Sequence, residues 1–212
     1  MGRHASEFAE RLVDPLARVE AGSLSAYATA VAELAPATKA CAVPMLAYLQ
    51  SEQRDEVQLA LFALGELGNE ASGVMEAIAA CLAHGDEEVR LDAVVALARL
   101  GLGAHRSQIA VLAENGPPAV RTLASFVLAS TADGVLPNET LLEEAAGLDR
   151  RRALVATVAL ASRTVTSGQV AALLVREDRP STWADHWLQR SLLSAIGRQM
   201  TSRPVDAQAI AY

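Results

Sequence analysis

Residues 86–101, DEEVRLDAVVALARLG, decide how this 212-residue chain folds. With Val89 as zero, Ala93, Ala96, Leu97 and Leu100 stand at +4, +7, +8 and +11, so one helical face collects an apolar stripe. The residues at +4 and +7 are alanines, small enough to let a second helix approach closely. Gly101 ends the stretch.

The same frame recurs on both sides. Ala60, Ala93, Ala124 and Ala156 hold +4 at separations of 33, 31 and 32 residues. Ala63, Ala96, Val127 and Ala159 hold +7, and Leu64, Leu97, Leu128 and Leu160 hold +8. Ala28 with Val31, and Leu192 with Ala195 and Ile196, extend the frame outward. It is imperfect at zero, where Glu56 and Arg152 replace the apolar Val89 and Val120. A shorter amphipathic helix is expected before each of these, near 6–19, 40–50, 72–84, 105–114, 139–147 and 168–176. Gly68, Gly101, Gly116-Pro117-Pro118, Gly134 and Gly168 punctuate the joints. Thr140 with Glu143, and Thr182 with Asp185, have capping-box spacing. A fixed period of about 32 residues is the signature of a repeat array, each unit burying its apolar face only against its neighbours. The expectation is an all-α solenoid of about six helix pairs over residues 1–200, with a tail at 201–212.

Composition agrees. Apolar residues make up 51% of the chain but only eight residues are aromatic, so alanine and leucine must build the core. That favours helices over strands. The net charge is −7, and the imbalance lies in the first half: 8 basic and 15 acidic residues up to Arg106, then 10 and 10. A nucleic-acid binder needs a basic stripe to displace counterions from phosphates, which this balance argues against. Cys41 and Cys81 lie in apolar helical stretches and read as small buried hydrophobes. No uncharged run is long enough for a membrane span, and MGRHASEFAERL lacks the apolar core of a signal peptide; cytoplasm is the expected compartment.

DEEVRLDAVVALARLG resembles the second half of a HEAT-like repeat of the kind found in bilin lyases and many bacterial scaffolds, and ALFALGELG (residues 60–68) is a second close match. The resemblance covers most of the chain in period and two repeats in detail. It implies a curved, right-handed stack of helix pairs and no single activity.

In such arrays the second helices line the concave side. Positions +2, +6 and +9 lie opposite the core stripe. The +6 row reads Ala30, Phe62, Val95, Phe126, Val158 and Ser194, and the +2 row includes Leu91 and Leu154. The middle of the array would then present Phe62, Leu91, Val95, Phe126, Leu154 and Val158 as a strip for a partner helix or an apolar ligand. Coverage of this strip, by curvature, a terminal segment or a second copy, is the alternative. Arg90 and Arg121, both at +1, are expected to tie one repeat's loop to the next. A secondary patch is offered by Arg150, Arg151 and Arg152 with Trp183 and Trp187. The arginine run reads as a solvated helix start or a clamp for an acidic group; the tryptophan pair reads as an anchor for the last repeat or a partner hot spot.

Chemistry is harder to find. Phosphate-loop, zinc-protease and serine-elbow patterns are absent, and Arg106 stands where a dinucleotide pattern begun by Gly101-Leu102-Gly103 needs its third glycine. His4, His84, His105 and His186 are scattered, without the repeated His-Glu pairs of HEAT-type iron hydroxylases. No metal, cofactor or catalytic residue is assigned. The leading expectation is a non-enzymatic protein-interaction module, acting as adaptor, scaffold or immunity-type inhibitor. Its partner would be another protein, basic or presenting an apolar helix, rather than nucleic acid or membrane. The resemblance also allows a chromophore-binding protein of the bilin-lyase type. More remotely, Trp183, Asp185 and Trp187 invite comparison with HEAT-like alkylpurine DNA glycosylases.

Overall fold

Alanines spaced to form a seam should bring two helices into close contact, and the computed structural model places them so. It describes residues 42–66, 73–131, 135–161 and 163. These residues are mostly helical, with no strand among them. The α-helices are α1 (Ala42–Tyr48), α2 (Arg54–Glu66), α3 (Val74–Ala80), α4 (Glu87–Leu100), α5 (Arg106–Asn115), α6 (Pro118–Thr131), α7 (Asn138–Ala145) and α8 (Arg150–Ala161). Single 3-10 turns at Cys81–Ala83 and Gly103–His105 follow α3 and precede α5. Short first helices thus alternate with longer second helices over the described stretch. The expected helices near 6–19 and 168–176, the frame at Ala28 and Leu192, and the tail lie outside the described residues.

The chain divides into two compact units, Met1–Leu128 and Ala129–Tyr212. In the first, α1 packs on α2 and α3 on α4, while α1 meets α3 and α2 meets α4. First helices therefore lie beside first helices and second beside second, as in two consecutive helix pairs. The seam residues Ala60, Ala63, Ala93 and Ala96 are all buried, with Leu64 and Leu97 beside them. A Cβ built on Gly65 would stand 3.4 Å from the Cα of Ala96 and 3.6 Å from its Cβ, so α2 and α4 approach almost backbone to backbone. In the second unit α7 packs on α8, whose Ala156, Ala159 and Leu160 are buried.

The helix with the most complete set of end signals is α4, which contains the stretch that decides the fold. Asp86 is its N-cap, accepting from the Glu88 N–H at 2.8 Å. Glu87 and Glu88 in its first turn and Arg99 in its last both suit the helix dipole. At the far end Gly101 takes φ 95°, Gly101 N–H bonds Ala98 O, and Leu102 N–H bonds Leu97 O at 2.9 Å. This pair of bonds is a Schellman closure, which requires the left-handed residue that glycine supplies.

The two breaks in the frame have local partners. Glu56 accepts the Ser51 hydroxyl, and Ser51 Oγ in turn accepts the Gln53 N–H at 3.1 Å. Arg152 pairs with Glu144 on α7. One expectation is corrected: Thr140 caps nothing with Glu143. Pro137, its φ held at −66°, stands at the N-cap of α7 and starts the helix before Thr140 is reached. The second box, Thr182 with Asp185, lies outside the described residues.

Ala96→Leu should wedge α2 from α4 and cost about 1–3 kcal/mol in chemical denaturation. Asp86→Ala should cost about 1 kcal/mol by loss of the cap. A neutral Ala96→Leu would mean the helices have room that the seam denies.

Candidate functional site

The apolar strip expected on the second helices is largely interior. Leu91 (6% exposed), Val95 (6%), Phe126 (7%) and Leu154 (5%) are buried; Phe62 and Val158 are half-buried. Four of the six residues are therefore covered, the alternative to an open strip. A helix that is apolar on two faces is normally covered on both, and α4 carries nine buried residues out of fourteen.

What α2 and α4 turn toward solvent is a largely polar stripe that keeps to the expected rows on α2, at Gln58 and Phe62, and is offset from them on α4. On α4 it runs through Glu88, Asp92 and Arg99, with buried Val95 in its path; on α2 it runs through Asp55, Gln58 and Phe62. Within each set the residues follow helical spacing, so each set shares one helix face. The two stripes are laced together. Gln58 Nε2 donates to Asp92 Oδ2 at 2.6 Å, and the Arg99 guanidinium stands 5.5 Å from the centre of the Phe62 ring. The charge over the ring adds a cation–π attraction and shields part of its face. The Arg99 Nη1 also lies 3.4 Å from where a Gly65 Cβ would be, so glycine leaves room for it. The first turns of the two helices are acidic, with Asp55 and Glu56 on α2 and Glu87 and Glu88 on α4. Burial first, and the Glu56 charge second, push the Tyr48 phenol above its usual range.

Arg90 is placed differently from expectation. It ties back to the loop before its own helix, donating to His84 O at 2.5 Å and Gly85 O at 3.1 Å, rather than to the next repeat. From the first turns of its helix, its side chain reaches the preceding loop more readily than the following one. Arg121 is exposed. In the second unit Arg163 gathers acceptors from a loop and from the ends of two helices. Its guanidinium donates to Leu136 O, to Ser130 O at 3.1 Å and to Asn138 Oδ1 at 3.4 Å. The sequence offers no periodic signal for it.

The Asp149-Arg150-Arg151-Arg152 run is a capped helix start. Asp149 Oδ1 accepts the N–H groups of Arg151 at 2.9 Å and Arg152 at 3.2 Å. The Asp149 carboxylate offsets the unfavourable placing of three arginines at the positive end of α8. Arg150 is exposed, Arg151 half-buried, and Arg152 is engaged by Glu144. Trp183 and Trp187 lie outside the described residues, so the secondary patch is placed only in part.

His84 and His105 are half-buried. His84 Nδ1 accepts the Asp86 N–H at 3.0 Å, and His105 Nδ1 lies 3.0 Å from Gln108 Oε1. Cys81 is buried, as its setting suggests; Cys41 lies outside the described residues. Among the described residues no three His, Cys, Asp or Glu side chains gather as a metal site would need, and no helix is long and apolar enough to cross a membrane. No protein-family model matches the chain, and no curated protein matches it.

Burial pushes the Cys81 thiol above its usual range, so the reactive thiolate is scarcer in the folded than in the unfolded chain at any given pH. Alkylation of the peptide carrying Cys81, followed by mass spectrometry, should be slow at neutral pH and accelerate sharply in denaturant. Equal rates in both conditions would contradict the burial.

Proposed function

We propose that the chain is a cytoplasmic, non-enzymatic protein-interaction module: an α-solenoid of about six HEAT-like helix pairs that binds through the outward face of its second helices. The observation that carries this reading is the contrast across α2 and α4. Their inner faces meet over a small-residue seam, while beside it Asp55, Gln58, Phe62, Glu88, Asp92 and Arg99 form an exposed to half-buried stripe, interrupted on α4 by buried Val95. Side-by-side second helices give a firm surface whose side chains are spaced by the packing itself.

That surface suits a partner with basic groups around an apolar contact. Acidic first turns raise the encounter rate with a basic partner. Phe62, half-buried and edged by Arg99, is the aromatic group on the stripe, and aromatic residues are enriched among binding hot spots. The acidic half of the sequence supports the same direction of charge complementarity, and the deep burial of Leu91 and Val95 supports a role for them in holding the surface rather than in touching the partner.

Crosslinking in cells followed by mass spectrometry identifies the partner, and the Asp55→Lys, Glu88→Lys double variant tests the surface. Both residues are exposed, so the variant should retain its helicity by circular dichroism. Association with the identified partner should slow about tenfold or more at low salt and lose most of its salt dependence. A variant that binds at the wild-type rate and with the wild-type salt dependence rules this surface out.

A further inference from the structure

Two neighbouring helices of the first unit are built in opposite ways. α4 has a side-chain N-cap, acidic residues in its first turn, a basic one in its last, a glycine closure and nine buried residues. α5 has no side-chain cap on its backbone N–H groups, Ile109 as its one buried residue, and charges set against its dipole: Arg106 begins it and Glu114 lies in its last turn. Val111, in the middle of α5, is 58% exposed. A ten-residue helix with so little burial is marginal on its own. The His105–Gln108 contact at its start and the Gly116 N–H to Leu112 O bond at its end are local to the helix and do not attach it to its neighbours.

The lead-in to α5 is strained as well. Gly101, Leu102 and Gly103 are three consecutive residues at positive φ, and Leu102 is the described non-glycine residue there, at φ 54° and ψ −46°. Gly103 N–H bonds Gly101 O, making Leu102 the centre of a three-residue turn of the rare strained kind. Such a backbone persists only where its surroundings hold it. Here the restraints are the Leu102 side chain, 2% exposed, and the Leu102 N–H bond to Leu97 O at the end of α4.

We propose that α5 and its lead-in turn form a latch, held closed by Leu102 and Ile109, that opens as a unit, releasing the Leu102 N–H from Leu97 O, while the body of α4 stays folded. Opening relaxes the Leu102 backbone and presents two apolar side chains to solvent or to a partner. The device stands independently of the binding surface assigned to α2 and α4.

Native-state hydrogen exchange on the full chain tests it. Amides of α5 should exchange through a local opening, with protection at least about a hundredfold below that of the amides from Val94 to Leu100 in α4. Equal protection, or loss of α5 protection only when α4 melts, would overturn the latch. Two variants then read the strain. Both Leu102→Ala and Leu102→Gly remove the anchor, but only glycine accepts positive φ without cost. Protection of α5 should therefore be roughly tenfold higher in Leu102→Gly than in Leu102→Ala. The ordinary order, with alanine the more protective, would show that the turn is not strained. If neither variant folds, the wild-type comparison of α5 with α4 decides the matter alone.

Discussion

The near backbone-to-backbone approach of α2 and α4 is the constraint on which the described part of the first unit depends. Such an approach is available only where side chains at the crossing are small, and Ala60, Ala63, Gly65, Ala93 and Ala96 meet that condition together. Close packing recovers dispersion contacts that are individually small and collectively large. With few aromatic residues in the chain, this is how the core reaches adequate density. The approach also sets the distance between the outward stripes, so the Gln58–Asp92 bond and the Arg99–Phe62 stacking follow from it.

Around this seam, polar side chains serve mainly to hold loops and helix ends. Asp86 and Asp149 cap helix starts, while Arg90 and Arg163 gather carbonyls of loops and of a helix end. Charge-assisted bonds to carbonyls satisfy backbone groups that no helix ladder reaches. Arginine, with several donors in one plane, can reach two or three such carbonyls from a single side chain.

Much of the helix plan is legible in the sequence, because the spacing of small and apolar residues along one chain is itself the cause of the helices and their buried faces. The first helices expected near 40–50, 72–84, 105–114 and 139–147 are α1, α3 with its 3-10 turn, α5 and α7. The candidate site is less legible. Periodicity tells which residues share a face, but whether that face is open depends on what packs over it. Leu91, Val95, Phe126 and Leu154 therefore have the spacing of a surface strip and the burial of a core. Thr140 shows capping spacing without the backbone to use it, since Pro137 fixes the helix start. Gly101-Leu102-Gly103 has the residues of a broken dinucleotide pattern, whereas its importance lies in backbone angles that no residue pattern displays. Arg163 and Glu144 act across loops, where spacing carries no regular signal.

The central claim, that an alanine seam brings successive second helices into direct contact, is tested most directly by a nuclear Overhauser measurement on protein labelled at alanine methyls and glycine α-protons. A strong cross-peak between the Ala96 methyl and the Gly65 α-protons is the result the packing predicts, because a Cβ replacing one of those protons would stand 3.6 Å from the methyl carbon. Its absence in a folded, fully assigned protein would contradict the seam and the stacking built on it.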